Sequence, residues 1–109
     1  LLTEVTDYQT SVIDEDKKQK QIEIDLLGKN AKNILLVGEC KFKKSQFDKV
    51  EYKKLMDKIK YLPVSNPLVC IFSLSGFSDY VKENAQNCKL IGIDDMYSSD
   101  ATLKVDTNR

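Results

Sequence analysis

The sequence predicts an α/β or α+β domain in which helices flank one mixed β-sheet. Three observations predict this class: β-type stretches separated by turn-rich segments come first, a long stretch of helical periodicity follows, and two apolar stretches then alternate with a shorter helical one. The order is therefore three antiparallel strands, then helix, strand, helix and strand. At 109 residues the chain has room for one core. We expect a single domain over residues 1–97 and a polar tail, 98–109, that frays.

Alternation and turn residues predict the first three strands. Residues 8–14, YQTSVID, carry β-branched side chains, and EDKK at 15–18 is a polar turn. Residues 21–27, QIEIDLL, alternate apolar with polar side chains, which is typical of a half-buried strand. GKNAKN at 28–33 predicts the turn of a hairpin. The apolar start of ILLVGECKF, 34–42, predicts a central strand covered on both faces.

The second half of the chain begins with the clearest helical pattern. Between residues 45 and 63 apolar side chains recur every three or four positions, with Ser45 as the expected cap and Pro63 at the end. The remaining predicted elements are a strand at 67–77, a short helix at 78–87 capped by Ser78, and a last strand at 88–94.

Composition limits the chemistry that the domain can perform. Lys plus Arg and Asp plus Glu number 17 each, so only a local patch could attract nucleic acid. The chain contains no His, which removes imidazole bases, Ser-His and Cys-His nucleophiles and the usual zinc ligands. Carboxylates, lysines and hydroxyls remain, and carboxylate oxygens suit hard cations such as Mg²⁺.

The expected environment is the cytoplasm, without membrane contact. No apolar run approaches the roughly 18 residues of a membrane span, and LLTEVTDY is not a signal peptide pattern. The cysteines Cys40, Cys70 and Cys88 have no CxxC spacing, so we expect buried free thiols in a reducing compartment. The first residue is Leu1, which suggests a piece of something longer.

Three charged side chains are the candidate site. Glu39 and Lys41 end the third strand, and because side chains alternate we expect them on one face, with Cys40 pointing into the core. Asp25 lies on the preceding strand, but with a symmetric turn at 28–33 it would lie nearer the turn than Glu39 unless a bulge shifts the pairing. If they converge, Asp25 and Glu39 can hold one or two Mg²⁺ ions while Lys41 stabilises phosphate charge.

The pattern of Asp25, thirteen intervening residues, then Glu39-Cys40-Lys41 resembles the PD-(D/E)xK nuclease superfamily, which has the restriction endonuclease-like fold. Over residues 20–97 the strings EIDLLG, LLVGECKFKKS, YKKLMDKIKYLP and IFSLSGFSDYVKE are similar, in order and spacing, to the C-terminal domain of a family of prokaryotic, archaeal-type AAA+ ATPases. The resemblance implies a DNA nuclease in which Asp25 and Glu39 bind Mg²⁺ or Mn²⁺ and Lys41 is the catalytic lysine.

Two features depart from the superfamily pattern. Ile24 precedes Asp25 where the motif is named for Pro, and residues 1–20 contain no counterpart of the fold's first helix, which we expect upstream. The sequence also lacks a P-loop, so the resemblance implies that an ATPase domain belongs to the same longer chain as a partner. A homo-oligomer would be needed to cut both strands together.

Lysines next to the site are the predicted nucleic-acid contacts. Residues 43–60 hold seven Lys against three acidic residues, although lysine-rich faces are commonly only solvated. Lys43 and Lys44 are the strongest candidates because they continue the strand of Glu39 and Lys41. With few aromatic residues available for stacking, we expect backbone contact without sequence reading, with DNA favoured over RNA.

Other interpretations of the same residues stay open. Glu39 and Lys41 can be a solvated charge pair that contributes little. Glu23 shares a strand face with Asp25 and is either an extra ligand or a solvated edge residue. At the level of function, the alternatives are a catalytically inactive nuclease fold kept for nucleic-acid binding or assembly, and a plain interaction domain whose three charged side chains point apart.

Overall fold

The protein folds as a five-stranded sheet with two helices, in a computed structural model that describes residues 2, 4–30, 33–63 and 66–93. The elements are β1 (Glu4–Ile13), β2 (Gln19–Asn30), β3 (Asn33–Lys41), α1 (Lys49–Lys60), β4 (Leu68–Ser73), α2 (Asp79–Asn84) and β5 (Cys88–Gly92). The strands lie in the order β1-β2-β3-β4-β5, antiparallel up to β3 and parallel from β3 to β5. The predicted fold class and element order are confirmed.

The core lies between one face of the sheet and the two helices. Val37 of β3 and Ile71 of β4 are fully buried on that face, and Leu55 of α1 and Val81 of α2 are fully buried against it. Both helices therefore cover the same face, as expected when successive right-handed crossovers extend a parallel sheet in one direction.

The hairpin of β1 and β2 only partly belongs to the sheet. Residues 26–30 of β2 pair with β3, whereas residues 19–24 pair with β1 alone. This outer part contacts α1 instead: Lys20 forms an ion pair with Asp57, and Ile22 is fully buried in the core. The hairpin therefore leaves β3 and packs over the helix, which opens the sheet beside the end of β3.

The predicted hairpin turn at 28–33 is wrong. Residues 28–30 continue β2, and Asn30 pairs with Asn33, so the connection shrinks to residues 31 and 32, which lie outside the described part of the chain. Gly28 is there for close packing: a Cβ on it would lie 3.0 Å from the Cβ of Leu36 and 3.1 Å from methyl groups of Leu2. A glycine that resembles a turn signal instead permits tight contact across the strands.

The predicted cap of the first helix is also wrong. The helix begins at Lys49, and Asp48 is the N-cap, because the segment before it is held extended against the loop after β4. There Phe47 N donates to Gly76 O at 2.9 Å and Ser78 N donates to Phe47 O at 3.0 Å. Ser45 therefore lies outside the helix, whereas Ser78 does cap α2 as predicted.

Asp48 forms a complete capping box with Glu51. Its side chain accepts from Glu51 N at 3.0 Å, and Glu51 Oε1 accepts from Asp48 N at 3.1 Å. Replacing Asp48 by Ala is expected to lower the free energy of unfolding, because an end N–H of the helix loses its acceptor. Urea unfolding measures this change. Asp79→Ala, one residue inside α2 and away from this cap, is the control, and equal losses in the two variants would contradict the assignment.

The prediction that Cys40 points into the core is wrong. Cys40 pairs with Phe72 of β4, while Glu39 pairs with the fully buried Ile71, so Glu39 and Lys41 face the helices and Cys40 faces away. The expected coverage of both faces of β3 is likewise not found, because Leu35 remains 37% exposed.

The three cysteines are free thiols, but only Cys70 is buried. Burial raises the pKa of all three thiols, so they are not activated as nucleophiles. Neither described helix is long and apolar enough to cross a membrane. The predicted polar tail, 98–109, lies outside the described residues.

Candidate metal and phosphate site

The register of β2 against β3 ends one position before Asp25 and Glu39. Leu35 is an extra residue in β3, and this bulge together with the short connection moves the two strands relative to a symmetric hairpin. The last pair of the ladder is Leu26 with Gly38, so the next positions outward are Asp25 and Glu39. The shift that the spacing argument required is therefore present.

A second bulge fixes the position of the Asp25 side chain. The pairing of β1 and β2 shifts so that Asp25 and Leu26 together oppose Asp7. The backbone pairing of β2 with β3 stops at Leu26, one residue before Asp25 is reached. The Asp25 side chain makes the contact with β3 instead: Oδ2 accepts from Cys40 N at 2.9 Å. Asp25 is thereby held beside the segment that carries Glu39 and Lys41, while its side chain stays exposed.

Glu39 is a mostly buried carboxylate whose two oxygens have different surroundings. Its side chain is 20% exposed, Oε2 lies 3.6 Å from Lys58 Nζ, and Oε1 is buried without a hydrogen-bond partner. Burial raises the pKa of Glu39; the ion pair with Lys58 opposes this rise, and the nearby Asp25 charge adds to it. A buried carboxylate oxygen without a donor is costly, which indicates a place where a positive group can bind.

Lys41 is buried and held at two points. It is 9% exposed, and its Nζ donates to Glu51 Oε1 at 2.6 Å and to Gln46 O at 2.8 Å. The acceptors come from α1 and from the loop before it, so the ammonium has little freedom to turn. A buried ammonium with fixed partners is suited to stabilise negative charge without first reorganising.

Sequence reasoning missed the partners of the site on α1. Glu51 receives the Lys41 ammonium and Lys58 lies beside Glu39, so the helix supplies one opposite charge to each strand residue. The pattern Asp48-x-x-Glu51 is a capping box in the sequence and could have placed Glu51 at the start of the helix. No local pattern could have paired it with Lys41, since that contact depends on how the helix returns over the sheet.

These side chains surround one pocket of about 310 Å³. Glu39, Lys41 and Lys43 line it, whereas Asp25 lines a different, smaller cleft of about 110 Å³ and reaches the end of β3 through its hydrogen bond with Cys40 N. Lys44 is exposed but does not line the pocket. Of the other lysines between residues 43 and 60, Lys54 and Lys58 line this pocket.

Glu23 does not line the pocket of Glu39. It is exposed and shares the smaller cleft with Asp25 and Asp7, on the side of β2 that faces β1. Within the described residues no group of three His, Cys, Asp or Glu side chains is close enough to hold a metal ion on its own. A metal here would therefore depend on Asp25 and Glu39, with water or phosphate oxygens completing its coordination, as is usual for Mg²⁺.

One feature of the Glu39 carboxylate fits a divalent ion. Glu39 Oε1 is a buried carboxylate oxygen with no donor. Asp25 and Glu39 would hold a divalent ion, which would give this oxygen a positive partner.

Comparison with known proteins supports the fold and nothing further about the site. No protein-family model and no curated protein matches the chain. A crystal structure of AF1548, described as a protein of unknown function, matches with a TM-score of 0.65 and 18% sequence identity, covering 90% of this chain and 58% of that one. The chain thus spans less than two thirds of the length of AF1548. At this identity the likeness concerns the fold alone, and it agrees with the α/β class.

Proposed function

We propose that this domain hydrolyses phosphodiester bonds of DNA with a divalent metal ion, Mg²⁺ or Mn²⁺. The observation that carries the proposal is Glu39 Oε1, a buried carboxylate oxygen that lacks a hydrogen-bond partner, on a residue whose pKa is also raised by the charge of Asp25. Burying a carboxylate oxygen without a donor costs stability, and a cation-binding role explains why the site contains it.

The carboxylates and the lysines of the site have separate roles in this proposal. Asp25 and Glu39 would hold the metal ion, which when bound supplies Lewis-acid charge and lowers the pKa of a coordinated water. Lys41 holds a positive charge on the same face of β3, where it can balance the negative charge that gathers on a phosphate. Lys43, at the rim of the pocket, would contact the phosphate backbone, and exposed Lys44 would extend this contact.

The larger setting is part of the same proposal. The resemblance to the C-terminal domain of AAA+ type ATPases supports a longer chain in which an ATPase domain acts beside this one, in the cytoplasm. Two copies would be needed to cut both strands of a duplex, which favours a homo-oligomer during cleavage.

A second function, binding of nucleic acid without cleavage, is favoured by the ion pairs in the site. Lys41 Nζ is already bound by Glu51 and by the Gln46 carbonyl, and Lys58 lies beside Glu39. Charges that are balanced within the protein have less need of a metal and a scissile phosphate. Metal binding separates the two functions, because only the nuclease requires an ion at Asp25 and Glu39.

Nicking of supercoiled plasmid by the wild-type chain, with Mg²⁺ or Mn²⁺ and with EDTA, tests the proposal. We expect metal-dependent nicking that is lost in Asp25→Ala and Lys41→Ala proteins whose circular dichroism spectra match that of the wild type. Mn²⁺ is included because it takes the same oxygen ligands. Nicking that persists in both variants, or a wild-type protein that binds no metal and nicks nothing, would leave the nuclease proposal without support.

A further inference from the structure

An exposed aromatic ring stands at the mouth of the candidate site. Phe42 directly follows β3 and is 68% exposed, whereas Phe47 and Phe77 are 2% and 7% exposed and pack edge to face in the core at 6.2 Å between ring centroids. The fold thus buries these two rings and leaves Phe42 in solvent. Keeping an apolar ring in water forgoes the stabilisation that its burial would give.

The surroundings of this ring are cationic and polar. The residues after it, Lys43 to Gln46, are all exposed and hydrophilic. Phe42 also lines the same pocket as Glu39, Lys41 and Lys54. A protein-binding surface would need a contiguous apolar patch, which this segment does not provide. An exposed ring among lysines is instead the combination by which proteins bind single-stranded nucleic acid: cations follow the phosphates and the ring stacks on a base.

We infer that Phe42 is a stacking platform for an unpaired base of the substrate, so that the site prefers single-stranded, flapped or frayed DNA over intact duplex. Phe42 lies three positions beyond Glu39, about 10 Å along an extended strand. A base on this ring would therefore belong to a nucleotide close to the phosphate held between Glu39 and Lys41. Stacking reads no base edge, so the preference concerns strandedness and not sequence. The inference rests on the proposed function for its substrate, but it predicts binding that needs no cleavage.

The sequence contains no Trp, which permits a direct test. Phe42→Trp introduces a single tryptophan, and its fluorescence is recorded during titration with an oligothymidine strand and with a duplex of equal length, both in EDTA. We expect strong quenching by the single strand, as for an indole stacked on a base, and little by the duplex. The control is Ile13→Trp. Ile13 is 64% exposed, and it is not among the residues that line the pocket of Glu39, Lys41 and Phe42.

Binding of labelled strands, measured by fluorescence anisotropy in EDTA, gives the magnitude. Phe42→Ala is expected to weaken single-strand binding by roughly 10-fold or more and duplex binding by less than about 2-fold. Phe42→Leu, which keeps the apolar surface and loses the π-face, should resemble Phe42→Ala. Equal losses on both substrates, unchanged binding by Phe42→Leu, or no single-strand binding by the wild type would overturn the inference.

Different results would contradict the nuclease proposal and the stacking inference. If the wild type nicks plasmid and the alanine variant keeps the same single-strand preference, the stacking inference is wrong and the nuclease stands. If nothing is cleaved while Phe42-dependent single-strand binding persists, the nuclease is wrong and the stacking inference stands for a binding module.

Discussion

Lys41→Met is expected to lower plasmid nicking at saturating Mg²⁺ by about 10²- to 10³-fold while metal binding persists. Removing one fixed group that stabilises developing charge typically has an effect of this size. The effect is expected to be specific to this residue, because its ammonium is buried and held by Glu51 and the Gln46 carbonyl. Methionine keeps most of the side-chain volume, which limits any change in packing.

The measurement is the rate of nicking at saturating protein and metal, with isothermal titration of Mg²⁺ as the second readout. The matched control is Lys18→Met, which removes an exposed lysine in the turn between β1 and β2. We expect the control to nick at the wild-type rate. A Lys41→Met protein that nicks as fast as the control would show that the ammonium serves only the ion pair with Glu51.

Glu39→Gln is expected to abolish the stabilisation of the protein by Mg²⁺ and to raise its stability when no metal is present. In the wild type, metal at 100 times its dissociation constant should stabilise the fold by about 2.7 kcal/mol, and the variant should lose this gain because a ligand is gone. Without metal at neutral pH, the variant should be more stable by roughly 1 kcal/mol, since an amide replaces a buried carboxylate whose Oε1 has no donor.

The pH dependence of this difference follows from the raised pKa of Glu39, whose main cause is burial. Between its ordinary pKa and the raised value, the folded protein binds the proton more tightly than the unfolded chain, so wild-type stability falls as pH rises through that interval. Glutamine does not titrate. The advantage of Glu39→Gln should therefore be small near pH 4, grow as pH rises and then level off.

Thermal unfolding in EDTA across this pH range, repeated with Mg²⁺ at neutral pH, measures both effects. Glu83→Gln, which removes an exposed carboxylate on α2, is the control and should match the wild type under all conditions. If Mg²⁺ stabilises Glu39→Gln as much as the wild type, the ion does not bind at Glu39. If the variant is less stable than the wild type at neutral pH, the pair with Lys58 outweighs the cost of burial.

Local sequence patterns predicted most of the helices and strands, and they placed Glu39 and Lys41 together. The two-residue period of a strand places Glu39 and Lys41 on one face, and they do line one pocket. This period cannot say which face is buried, because the apolar start of β3 is equally compatible with either side, and the prediction that Cys40 points into the core is therefore wrong. The side of β3 that faces the helices is set by the pairing with Ile71 in β4, a long way along the chain.

The sequence by itself determined the α/β class, the order of strands and helices, the cap at Ser78 and the chemistry open to a chain without His, because each depends on neighbouring residues or on composition. Only the tertiary structure decided which residues from distant segments contact each other. The bulge at Leu35 set the register of β2 on β3, the carboxylate of Asp25 reached Cys40 N, and α1 returned to place Glu51 and Lys58 against the strand. Register and burial result from packing between distant segments, and a local pattern does not contain that information.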